Sequence, residues 1–291
     1  MRFSSAICLI LLVPTMKSVA ADPPDLLTDV IFYASFDKTL QADVSRGASG
    51  LRTRYDDPDA KGQYIFKDGF PANAFRQSKH GVAGGALEAV NVLPKRGRIF
   101  YPAESNLAFD PNGWSGAVSF WLQTNPDSML RTRYCDPVQI THKGAHNGGL
   151  WIDFPNTKPR SLRLGAFRGL KAGEKAVKES DPAAPLIRVP QIGFKETEWH
   201  HILMTWDKLD SGKSDARTLL YIDGKVAGEL ADREIAMNWD MQQTGIYVAV
   251  ALIGRMDELA IFNRMLKSAE ARQLHAAPGI FQSLVRSANS D

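Results

Sequence analysis

The sequence predicts an all-β protein, two antiparallel sheets packed as a sandwich with one short helix near the C-terminus. Three observations carry this. Short runs rich in β-branched and aromatic residues recur along the chain, each bounded by Gly, Pro, Asn or Asp. Asp223-Gly224 separates two apolar alternations, a strong hairpin signal because both turn positions need positive φ. Only one segment carries helix punctuation: Ser268 is placed to cap it, Glu270 favours its positive end, and Pro278-Gly279 stop it. Strands without alternating helices argue for a sandwich rather than βαβ units.

The strand runs are read in chain order. The first covers residues 30–36. In residues 117–123, Val118, Phe120 and Leu122 share one face. Further runs cover 137–141, 150–154 and 161–167, then 199–206, 218–222, 226–230 and 258–262. Two stretches, 47–81 and 169–185, are polar and read as long excursions from the sheets, where a specific function is expected to sit. No internal repeat and no Pro- or Ser-rich linker divides the chain.

The chain has 291 residues, 44% apolar and 23% charged, which excludes a disordered, collagen-like or coiled-coil protein. Its first residues have the layout of a secretory leader. Arg2 supplies the positive start, Ile7 to Val13 form a short uncharged apolar run, and Val19-Ala20-Ala21 offers a small-residue cleavage site. Pro14 and Lys17 end the run well short of the roughly 20 apolar residues of a membrane span. The expectation is therefore a leader over 1–21 and a single exported domain over 22–291, secreted or periplasmic. Removing the leader takes away Arg2 and Lys17 and no acidic residue, so the net charge falls from +3 to +1. That argues against nucleic acid as a partner. Cys8 is lost as well, which leaves Cys135 alone, expected as a packing residue.

Five segments resemble the laminin-G-like jelly-roll family of the concanavalin A-like lectin and glucanase superfamily. These are Phe36-Asp37; the glycine-rich 81–87; Trp114-Ser115-Gly116 running on to Trp121; Trp199-His200-His201 to Asp207 with Leu220 to Lys225; and Asp257 to Arg264 with the helix after it. The resemblance covers about residues 30–276. It implies a jelly roll with one concave and one convex sheet.

This fold hosts both binding modules and enzymes, so function must be read from sites. Glycosidases need two carboxylates about 5–10 Å apart, and the superfamily's glucanases carry them as Glu-x-Asp-x-Glu on one strand. No such triplet occurs here. Asp257 and Glu258 are adjacent and expected on opposite faces, and Glu196 and Glu198 lack the middle Asp. Gln139-Ile140-Thr141-His142 resembles the Gln-Ile-His of alginate lyases, but the extra Thr is expected to split Gln139 from His142. His200 and His201 are likewise expected on opposite faces and unable to chelate one ion together. Asp37 ends the first strand and Asp257 lies in the last, so a shared Ca²⁺ is expected as a candidate, against the alternative that both carboxylates accept backbone hydrogen bonds. Trp239, in a polar loop, is the candidate sugar platform, set against a tryptophan that plugs the sandwich edge. Arg131 is the candidate polar contact. The reading is an exported carbohydrate- or surface-binding module without evident catalytic residues, its partner a glycan or cell-surface polymer. A glycan hydrolase or lyase on the same fold, and a protein-binding adhesion domain, are the alternatives.

Overall fold

A computed structural model describes residues 26–60 and 62–288. The leader expected over residues 1–21 lies outside the described residues. A single helical turn α1 (Leu26–Asp29) leads into strands β1 (Val30–Ala34), β2 (Val44–Ser45), β3 (Arg52–Asp56), β4 (Tyr64–Asp68), β5 (Phe75–Ser78) and β6 (Ala86–Ala89). Next come β7 (Arg98–Pro102), β8 (Trp114–Gln123), β9 (Cys135–Thr141), β10 (Gly149–Phe154), β11 (Leu162–Phe167) and β12 (Leu186–Val189). The last strands are β13 (His200–Leu209), β14 (Ala216–Ile222), β15 (Lys225–Arg233), β16 (Gly245–Val250) and β17 (Gly254–Phe262). Helices α2 (Ser268–Ala276) and α3 (Gln282–Ala288) close the chain.

The strands form two antiparallel sheets, the jelly-roll sandwich the sequence predicts. One runs β15-β14-β13-β8-β17-β1-β2, with β6 against β17 and β5 against β6. The other runs β12-β11-β10-β9-β16-β7-β3-β4. Alternation decides what lies between them. Val118, Phe120 and Leu122 of β8 meet Val138 and Ile140 of β9, Leu150 and Ile152 of β10, and Ile246 and Val248 of β16 in one buried cluster. Cys135 is fully buried there; burial pushes its thiol well above its usual range, so it packs rather than reacts.

The outer faces differ, and the difference positions the function. Over the first sheet, Leu266, Ala271, Leu274 and Phe281 of the C-terminal segment cover Tyr33, Leu203, Tyr221 and Phe262. The second sheet instead turns charged and aromatic residues outward.

At Asp223-Gly224 the predicted hairpin is found, with φ of 50° and 73° joining β14 to β15. Three expectations need correction. Residues 47–81 are not an excursion: β3 pairs with β7, and β4 pairs with β3, which extends the second sheet. Their Arg- and Asp-rich sequence hides a strand because only part of one face is buried. Ser268 does not cap α2. Lys267 holds the cap position, its N–H donating to Glu270, and Ser268 is the first helical residue. Asp257 and Glu258 do not alternate regularly. The β17–β8 register slips between Asp257 and Ala260, and Glu258 takes φ of 52°, which lets the two carboxylates interact electrostatically.

Candidate functional site: a groove on the outer face of the second sheet

A groove of about 1170 Å³ lies over β3, β7, β9 and β10, walled by the segments at 56–58, 62–64, 143–146 and 178–180. Its floor follows from strand periodicity. In β10, Leu150, Ile152 and Phe154 face the core, so Trp151 and Asp153 face the groove. In β11, Leu162, Leu164 and Ala166 face inward, which turns Arg163 outward beside them. Gly165 sits opposite Trp151, and a Cβ there would lie 2.3 Å from the indole, so the ring packs flat only over glycine.

A bulge supplies the next carboxylate. Ile152 pairs with Val138 but Phe154 pairs with Cys135, so Asp136 and Pro137 together oppose Asp153. Cys135 and Val138 both reach the core, which regular alternation forbids at that spacing, and Asp136 is turned into the groove. Asp136 and Asp153 thus face one another's charge across neighbouring strands. Burial raises both above the ordinary carboxylate range, with the Asp153 charge adding to the rise at Asp136 and the Glu179 charge to that at Asp153. They are not equivalent. Arg163 donates Nε to Asp153 Oδ1 at 2.8 Å and Nη2 to Oδ2 at 2.5 Å, which favours the ionised form of Asp153. No side-chain hydrogen bond reaches Asp136 among the described residues, and Asp136 is the member that keeps the proton, pushed up to about 8.

Arg163 is 5% exposed and also donates Nη1 to Glu179 at 2.6 Å; Glu179 in turn contacts His146 Nε2 at 2.8 Å. Those two partners, His146 first, hold Glu179 down at about 2 against the opposing effect of burial. The guanidinium lies between the rings of Tyr134 and Trp151, at 5.5 and 5.4 Å. At the other end, Arg54 donates to Tyr247 Oη at 2.8 Å and Arg98 donates to Gln139 Oε1 at 3.0 Å. Burial, and the Arg54 charge beside it, lower Arg98 below its usual range.

The residues singled out by sequence lie elsewhere. Trp239 turns inward to Phe109 and Trp114, with ring centroids 5.4 and 5.3 Å away, and its Nε1 donates to Gly148 O. It plugs the sandwich edge and does not line the groove. Arg131 is exposed and donates to Asn91 Oδ1. Asp37 and Asp257 do converge, on the glycine loop: Asp37 Oδ1 accepts from Gly85 N–H, and Asp257 Oδ2 accepts from Val82 and Ala83 N–H while Oδ1 accepts from Glu258 N–H. Among the described residues no three His, Cys, Asp or Glu side chains converge as a metal-ligand group. An ion at Asp37 and Asp257 would draw most of its six to eight oxygens from carbonyls and water. His200 and His201 face opposite ways: His200 stacks on Phe194 at 3.9 Å, and His201 meets Ser119 Oγ at 2.9 Å.

Sequence reading missed Asp136, Asp153, Arg98 and Arg54, because a one-strand search cannot find carboxylates on two strands joined by a bulge. The usable signal was polar residues at the outward positions of otherwise apolar strands, as in Trp151-Ile152-Asp153.

No protein-family model matches the chain, and no curated protein matches it. Among solved structures, it is similar to the receptor-binding domain of botulinum neurotoxin mosaic serotype C/D, with TM-score 0.54 and 10% identity over 88% of this chain and 52% of that one. The botulinum neurotoxin serotype D ligand-binding domain, solved with N-acetylneuraminic acid, aligns with TM-score 0.53 and 12% identity over 87% and 52%. Domain 4 of an extracellular arabinanase from Geobacillus stearothermophilus, solved with arabinotriose, gives 0.49 and 15% over 85% and 99%. The chain spans about half the length of the neurotoxin domains. At these identities the likeness to the neurotoxin domains shows a shared β-sandwich fold alone. No helix among the described residues is long and apolar enough to cross a membrane.

Proposed function

We propose that the chain is an exported carbohydrate- or surface-binding module of laminin-G-like type, with the groove on the second sheet as its ligand site. One observation carries this: a sugar-sized groove that combines exposed aromatic rings with planar polar groups, namely Tyr64 and Tyr134 with Arg98, Gln139 and Asp153, over the buried ring of Trp151. Sugar rings offer apolar C–H faces to the first set and hydroxyl rims to the second. A glycan panel with product analysis tests it. Binding without turnover supports the module, and binding by protein partners alone overturns it. Tyr134, 45% exposed at the groove, packs on Arg163 and lies outside the hydrophobic core. Tyr134→Ala is expected to weaken glycan binding about tenfold, the loss of roughly 1.4 kcal/mol of ring contact, with a thermal midpoint lowered only slightly by the lost contact with Arg163. Titration calorimetry and a melting curve check both parts.

A second reading is favoured by the Asp136–Asp153 pair. One proton-holding and one ion-paired carboxyl facing the same groove are the parts of a glycan hydrolase. Cleaved products in the same panel would select it.

Calcium shared by Asp37 and Asp257 is proposed as a structural ligand. A chelator is then expected to lower the thermal midpoint of the wild type and leave that of Asp37→Ala unmoved. An unmoved wild type counts against the ion.

A further inference from the structure

We infer that the groove takes an anionic sugar, its oxyanion seated against Arg54 and Arg98. This rests on the groove being the glycan site and names the class of sugar it holds. Arg54 and Arg98 stand directly opposite each other on β3 and β7, a like-charge cross-strand pair. Such a pair is destabilising unless something compensates it. Water compensates little, because Arg54 is only 7% exposed and burial already bears on Arg98.

No contact ion pair in the fold compensates it either; the Asp136 and Asp56 charges act on Arg98 only from beyond ion-pair distance. Neither guanidinium forms an ion pair with a carboxylate among the described residues. Their hydrogen-bond partners, Tyr247 Oη and Gln139 Oε1, are neutral. The Arg54 guanidinium lies 4.0 Å from the Tyr64 ring centroid and 4.9 Å from that of Tyr247, and its buried Nε has no partner. The nearby acids are otherwise engaged: Asp56 approaches Arg96 at 3.9 Å, and Asp136 keeps its proton. The other cation of the groove, Arg163, is by contrast paired with Asp153 and Glu179. One end of the groove is therefore neutralised internally, and the other holds two ring-backed guanidiniums without a carboxylate in contact. A guanidinium fork matches a planar carboxylate in two parallel hydrogen bonds, and a sulfate ester through the same donors.

The test is calorimetric titration of the full chain with polygalacturonate, its methyl-esterified form, dextran sulfate and uncharged dextran, at low and high salt. Polygalacturonate is expected to bind at least about tenfold more tightly than its methyl ester and to weaken with salt. Arg98→Gln and Arg54→Gln are expected to lose that preference, while their thermal midpoints without sugar equal or exceed the wild type, since one of two like charges is gone. Binding of dextran sulfate but not polygalacturonate keeps the oxyanion seat and assigns it to sulfate. Equal binding of polygalacturonate and its ester overturns the inference and leaves the glycan-binding reading standing. No binding of any glycan overturns that reading itself. A midpoint lowered in both variants makes the arginines structural and overturns the inference independently of binding.

Discussion

Replacing Arg163 with alanine is expected to destabilise the protein by about 3–5 kcal/mol at neutral and alkaline pH. Few side chains here carry as much. Arg163 holds both oxygens of Asp153 and one of Glu179 and fills the gap between Tyr134 and Trp151. Without it two carboxylates, one of them 3% exposed, face each other and Asp136 with no guanidinium or ammonium group in contact, only the His146 ring. The loss should shrink as pH falls. Asp153 already titrates above its ordinary range, and removing Arg163 raises it further. An acid raised in the folded state adds stability below its folded pKa and loses it as pH rises through that value, so protonation at low pH repairs what the variant breaks. Chemical denaturation at about pH 5 and about pH 8 reads the difference. A loss that is the same at both would show that packing rather than charge is what Arg163 supplies. The double variant Arg163→Met with Asp153→Leu should recover most of the stability, because an apolar pair replaces a desolvated ionic one.

How much of this was legible in the sequence depends on which face of a strand is considered. Inward faces were readable. Val118, Phe120 and Leu122 alternate and are buried as expected, and Asp223-Gly224 turns as its φ requirement dictates. The sequence marks nine strand runs, but β3, β4, β7, β12 and β16, five strands of the site's sheet, are not among them. For β3 and β4 the reason is physical: an edge hairpin with Arg and Asp at its groove-facing and solvent positions lacks the apolar alternation that marks a half-buried strand. Strand β16 does carry alternation at Ile246 and Val248, so its signal is present in the sequence. The site was harder because it is non-local. Arg54 and Gln139 come from β3 and β9, which are separated in the sheet by β7 and β16. Asp136 faces the groove only because a bulge shifts it, and a bulge leaves no reliable trace in composition. Trp239 attracted notice through its polar neighbours, whereas its ring is held by Phe109 and Trp114, far along the chain.

The Asp136 carboxyl should make recognition of an acidic sugar depend on pH. Its proton is held up to about 8 by burial and by the charge of Asp153. Below that pH it presents a neutral carboxylic acid to the groove, able to donate a hydrogen bond. Above it a fixed anion stands in the field of Arg98 and competes with the ligand for the same guanidinium. Two like charges about 4 Å apart at an effective dielectric near 20 repel by up to roughly 4 kcal/mol, so even a screened share is worth about tenfold in affinity. Binding of polygalacturonate, whose carboxyls are ionised throughout this range, is expected to weaken at least about tenfold from about pH 6 to about pH 9. Asp136→Asn should bind almost equally at both. The same substitution has a second signature that needs no ligand. A carboxyl raised in the folded state adds stability at low pH and loses it as pH rises through its folded value, with a limiting slope of about 1.4 kcal/mol per pH unit. Asp136→Asn should therefore be more stable than the wild type at about pH 9 and not at about pH 4. If the stability difference appears and the binding difference does not, Asp136 is buried in the sheet but turned away from the ligand. If both appear, one proton governs both the groove's electrostatic strain and the sugar it accepts.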